Sequence, residues 1–236
     1  MNPNVPARTA DASNLPDPLA ALRAATRQEH GQVEALLRLA EPMSLARYAE
    51  VVSGFATWLA AWEPRVREAL PASLQGWFDA RRRADFAQAD VAWLASARSV
   101  VPHLDGSAAA LALPLHDGAA AFGSLYVIEG SALGARVIAP RLQASLGLDA
   151  AGGARYFHGF GDDAPNFWRD FRHCALQELA TADSVARACV GARSTFLSLL
   201  DAFAPLDGDG DGDGDGDGDG NGEDGNGSIP AMPSAP

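Results

Sequence analysis

The sequence predicts an all-α fold in a single domain, on three observations. Apolar residues recur at three- and four-residue intervals through most of the chain. No stretch of any length alternates apolar with polar residues as a half-buried strand would. Capping residues and prolines stand at the borders of the periodic runs, where helices start and stop.

The elements follow in order. Residues 1–16, rich in Pro, Ala, Asn and Asp, read as a loose arm, and 17–205 as one helical domain. A first helix is expected from Asp17 or Pro18 to about Leu39, with proline in its first turn and Pro42 closing it. Ser44 caps a second, whose Leu45, Tyr48, Val52, Phe55, Leu59 and Trp62 keep helical spacing, and Pro64 is expected to kink or restart it. Shorter helices follow at about 72–83 and 86–98, then a turn at 102–107 and a proline at 114. A long helix covers about 116–145, bent by Pro140. A glycine-rich loop spans 147–165, and helices cover about 165–180 and 183–203. Trp58, Trp62, Trp77, Trp93 and Trp168 read as core or partly buried anchors.

Residues 206–236 form an acidic tail whose centre is seven Asp-Gly pairs, Asp207 to Gly220. It matches the first half of an EF-hand loop in several registers, but none puts Glu at the twelfth position. A disordered tail is the expectation, with weak calcium association as the alternative. The tail distorts the charge balance. The chain carries −12, yet nine acidic residues and no basic ones lie from Asp207 onward. Residues 1–206 hold 21 acidic and 18 basic residues, near neutrality. No Lys/Arg stripe suited to phosphates is present, which argues against nucleic-acid binding.

Cys174 and Cys189 belong to no Cys-x-x-Cys pattern and are expected as reduced thiols. The first residues lack the apolar core of a secretory signal. No apolar run of membrane-spanning length occurs; the long helix itself contains Glu129 and Arg136. A soluble, cytoplasmic protein without a membrane segment is expected.

The long helix carries the most informative stretch, AFGSLYVIEGSALGARVIAPRL at 121–142. Gly123, Gly130 and Gly134 interrupt it, each at about 0.5–1 kcal/mol relative to alanine. Gly130 and Gly134 lie one turn apart on one face, beside Ser131 and Ala135, and bare a strip of backbone. Two explanations stay open: close packing against another helix, or a flat ligand laid across the strip.

The first helix supplies a candidate ligand to a metal. Leu22, Thr26, His30, Val33 and Leu37 fall on one stripe, which points His30 inward among apolar neighbours. Such a histidine can also be a satisfied core residue. Glu34, one turn on, can accept a hydrogen bond from one ring nitrogen, fixing the tautomer and making the other a better donor to iron. Arg23 lies ~10 Å back along the axis and Arg27 one turn back, within reach of carboxylates on a ligand held at His30. Both also fit as solvated surface charges. His103, His116, His158 and His173 read as turn or surface residues, with His158 beside the pocket the exception to watch.

LRAATRQEHGQVE together with YVIEGSALGA resembles the heme oxygenase family, above all its bacterial biliverdin-producing members. FWRDFR (167–172) and ARSTFLSLLDAF (192–203) resemble that family's closing helices, so the resemblance covers about 18–204. It implies heme b as substrate and cofactor, with its iron on His30 in the matching Thr26-x-x-x-His30 pattern. It further implies Gly130, Ser131 and Gly134 over the distal face, Tyr126 among the heme contacts, and Arg172 against a propionate. Ser131 stands where mammalian members have aspartate. The implied reaction is cleavage of heme to biliverdin, carbon monoxide and ferrous iron, with electrons from a ferredoxin- or flavin-type donor. A biliverdin-binding photoreceptor is a possible recipient of the product. Two other readings are a heme carrier or sensor without turnover, and a di-iron carboxylate bundle. The second lacks any Glu-x-x-His and has only Asp170-x-x-His173.

Overall fold

Local chemistry sets most helix borders in the computed structural model of the chain. It describes residues 17–207, without the side chains of Ala135 and Arg136; the arm 1–16 and the tail from 208 lie outside the described residues. Asp17 caps α1 (Pro18–Leu37) by accepting a hydrogen bond from the Leu19 amide. Ser44 caps α2 (Leu45–Ala69) through the Arg47 amide. Pro64 lies inside α2 and does not restart it: its side chain is exposed, while Leu59, Trp62, Glu63 and Val66 around it are buried. Next come α3 (Ala72–Asp79), α4 (Ala84–Arg98) and α5 (Ser107–Leu111). Asp117 caps the long α6 (Gly118–Leu146), which contains Pro140 and stops at Gly147 with φ +67°. Then follow α7 (Arg155–His158), α8 (Ala164–Glu178) and α9 (Ala182–Phe203). Thr181 and Ser184 close a reciprocal cap at the start of α9. The fold is all-α, as expected.

Three borders depend on residues far away in sequence. Glu63 of α2 accepts hydrogen bonds from the Arg83 and Ala84 amides and so caps α4. Asp90 of α4 does the same for the amides of Arg155 and Tyr156, ordering α7 inside the expected loop. Thr57 accepts from the Gly106 amide just before α5, inside the expected turn.

α9 is the helix on which α6 and α1 both pack most extensively. The α6–α9 crossing is nearly bare backbone. A Cβ on Gly123 would stand 1.9 Å from the Ala188 carbonyl oxygen, and one on Gly191 2.3 Å from that of Ala120. Beside the crossing, the Thr195 and Ser124 hydroxyls are 2.7 Å apart, and Trp62 donates its indole N–H to Ser124. Trp58 stacks on Trp62 at 5.4 Å between ring centres and donates to Ser198 of α9. Both indoles are buried; Trp77, Trp93 and Trp168 are half-buried.

α1 packs mainly on α9, and its buried residues include Leu22, Thr26, Glu29 and Leu37. Glu29 is only 4% exposed and accepts hydrogen bonds from Arg193 at 2.9 and 2.8 Å. That pairing sets the helix rotation and corrects the expectation for His30. Glu29 takes the inward position, and the next residue, about 100° round the helix, is left at the edge of the interface. The His30 side chain is 56% exposed.

Two predictions follow from this packing. Gly191→Val should destabilise the protein by about 3 kcal/mol or more through overpacking. Gly134→Ala should stabilise it by roughly 0.5–1 kcal/mol, because the added Cβ meets open space. Urea unfolding of the heme-free protein measures both. For Glu29, a hydrogen bond from its own backbone and the Arg193 guanidinium hold the carboxyl below its ordinary value. Its contribution is therefore present above the unfolded carboxyl pKa and lost as pH falls through the depressed one. Glu29→Gln should be less stable than the parent at neutral pH, and the two should converge in acid.

Candidate active site

The glycines of α6 divide by what stands above them. Gly123 is consumed by the crossing with α9, whereas a Cβ on Gly130 or Gly134 would meet no described atom within 4 Å. Helix packing therefore explains the first glycine and not the other two. Leu133 and Val137, on the same face, are 37% and 55% exposed, so the strip is both bare and apolar. Ser131 is exposed beside it, with its hydroxyl donated back to the Ile128 carbonyl at 2.7 Å. Tyr126, one turn earlier, is half-buried against Trp168.

The backbone entering this strip is held from the α3–α4 turn. Arg83, 3% exposed, donates to the same Ile128 carbonyl. Arg81, 4% exposed, pairs with Glu129 at 3.2 Å and with Asp170 of α8, and lies over the Trp77 ring. Burial raises the Glu129 carboxyl against the pull of Arg83 and Arg81. Two consecutive residues just before Gly130 are thus tied down by two buried guanidiniums. Neither arginine belongs to a periodic pattern, and sequence reading missed both; the run Arg81-Arg82-Arg83 beside a helix start was the available signal.

On α1, His30 packs edge-on against Phe196 of α9, with ring centres 5.6 Å apart. Its Nδ1 faces the Glu34 carboxylate at 3.3 Å, which leaves Nε2 for a ligand. Arg23, Arg27 and Arg172 are exposed. Unlike every other arginine with a described side chain, they make no hydrogen bond, ion pair or ring contact among the described residues. These are the three arginines that the sequence nominated for carboxylates. An exposed imidazole with one nitrogen engaged, a bare apolar strip and three unspent guanidiniums fit a planar dianionic metalloporphyrin.

The remaining histidines separate. His103 and His116 are exposed, and His173 contacts Gln177. Asp170 is occupied by Arg81 and Trp77, so the Asp170/His173 pair offers no joint metal site. Among the described residues no group of three His, Cys, Asp or Glu side chains converges. His158 borders a cavity of about 200 Å³ with Ala132, Ala139 and Pro140, on the α6 face opposite the glycine strip. Its Nε2 is buried without a partner among the described residues. Cys174 and Cys189 are free thiols, and burial raises both. No described helix is long and apolar enough to cross a membrane.

Comparison with known proteins gives the family. The family model described as heme oxygenase matches residues 17–204. A heme oxygenase of Xanthomonas campestris pv. campestris is 34% identical over 150 residues, which covers 63% of this chain and 84% of the relative. The NO- and CO-bound heme oxygenase from Neisseria meningitidis superposes with a TM-score of 0.61 at 25% identity, covering 80% of this chain and 94% of that one. A non-degrading carrier is not favoured by these relatives. The chain belongs to the heme oxygenase family, the enzymes that degrade heme.

Proposed function

We propose that this protein cleaves heme b to biliverdin, carbon monoxide and ferrous iron, using dioxygen and electrons from a separate ferredoxin- or flavin-type reductase. The observation that carries the reading is the open space above Gly130 and Gly134, which no packing partner of α6 explains. Bound heme supplies the iron that activates dioxygen and the porphyrin carbon that is oxidised. The chain's own residues do the rest.

His30 holds the iron through Nε2 while Glu34 fixes its tautomer and strengthens it as a donor. Phe196 limits the swing of the imidazole by its edge contact. Arg23, Arg27 and Arg172 take the propionates, each as a charge-assisted hydrogen bond. Gly130 and Gly134 would let the α6 backbone approach the heme closely, and Leu133 and Val137 would keep that side apolar and exclude bulk water. Toward bound heme the strip would present backbone and the Ser131 hydroxyl rather than a charged acid–base pair. Tyr126 completes the same wall. A cytoplasmic setting agrees with the two free thiols, and the biliverdin can serve a photoreceptor as chromophore.

Hemin added to the purified protein should give a Soret band that weakens in His30→Ala. With reductase and dioxygen, the parent should produce biliverdin and carbon monoxide, and His30→Ala should lose at least about 90% of that rate. Arg23→Gln should weaken hemin binding about tenfold, the worth of one charged hydrogen bond. Hemin bound with neither biliverdin nor carbon monoxide under turnover overturns the reading.

A further inference from the structure

We propose that the Arg23–Arg27 face of α1 is a docking surface for the chain's own acidic segment, residues 209–224, which competes there with the carboxylates of heme. The inference rests on the reading that these arginines receive the propionates.

Four observations carry it. First, Arg23 and Arg27 stand one turn apart on an exposed face and have no partner among the described residues. Among the other described arginines, Arg38 pairs with Glu41, Arg67 with Asp79, Arg82 with Glu63 and Arg187 with Asp183, so this fold does not ordinarily leave guanidiniums idle. Second, the last described residues sit at the foot of the same helix. Arg47 donates to the carbonyls of both Leu206 and Leu36, and the turn at 204–206 packs on α1. From Leu36 back to Arg27 is ~14 Å along the helix axis, and to Arg23 ~20 Å. Seven residues of extended chain reach up to ~25 Å. Third, the segment is the complement in charge: eight acidic residues and no basic one between 209 and 224. In any extended chain alternate residues recur every ~7 Å, close to the ~6 Å between arginines one turn apart. Fourth, residues 1–206 are nearly neutral, and among the arginines with described side chains only Arg172 besides these two is without a hydrogen bond, ion pair or ring contact. A tether of this length holds the aspartates at about millimolar effective concentration, so even weak pairing lowers hemin affinity measurably.

The test compares the full-length protein with a full-length variant in which Asp209, Asp211, Asp213, Asp215, Asp217 and Asp219 are all changed to Asn. At low salt the neutral-tail protein should bind hemin about three- to tenfold more tightly, and above about 0.5 M salt the two should agree. In an Arg23→Gln/Arg27→Gln background the low-salt difference should vanish. General repulsion between an anionic protein and an anionic porphyrin would survive that double change. In the heme-free protein, the Nε–H resonances of Arg23 and Arg27 should shift between the acidic and neutral tails. Equal affinities at low salt, a difference that persists without the two arginines, or unmoved Nε–H signals each overturn the proposal. Because the last readout needs no heme, it fails or succeeds independently of hemin binding at His30.

Discussion

The contact on which the rest of the structure depends is the crossing of α6 and α9, where Gly123 and Gly191 let two backbones meet. Each glycine faces the carbonyl of the other helix at a distance no side chain could share. With the axes that close, the Ser124 and Thr195 hydroxyls and the Trp62 indole can join in one buried cluster. α9 then serves as a common floor. Both α6 and α1 pack on it, α1 held by the Glu29–Arg193 pair. Residues 120–124 of α6 and 29–30 of α1 thereby meet the same two turns of α9, between Ala188 and Phe196.

One residue type does two jobs along a single helix. At Gly123 the missing side chain is repaid by packing within the protein. At Gly130 and Gly134 nothing in the described fold offsets the cost, and the apolar neighbours Leu133 and Val137 stay exposed. On the proposed function, stability is forgone there for a ligand, as functional sites commonly do. The buried guanidiniums of Arg81 and Arg83 complement this choice by fixing the turn just before the strip. The bare backbone of the strip is thus braced from behind.

What was legible in the sequence followed the range of the interactions involved. Asp17, Ser44, Asp117 and Gly147 act on amides or carbonyls within four residues, so the borders they set could be read locally. α7 could not be, because its cap is Asp90, some 65 residues earlier. Pro64 looked like a break because proline removes a local hydrogen bond, while the burial of α2 around it is a tertiary effect. The strip at Gly130 and Gly134 and the pair Arg23 and Arg27 were visible as residue types at helical spacing, whereas Arg172 came only from the family resemblance. The rotation of α1 was not: periodicity alone put His30 inside, and only Arg193, 164 residues away from Glu29, turns the helix by one position. That turn takes His30 out of the core and gives it an exposed face.

The most direct measurement is a crystal structure of the protein with hemin. The account predicts iron bound to His30 Nε2, Glu34 on Nδ1, and the peptide of residues 130–134 crossing the opposite face of the porphyrin. Hemin seated elsewhere, or bound with His30 turned away from the iron, would contradict it.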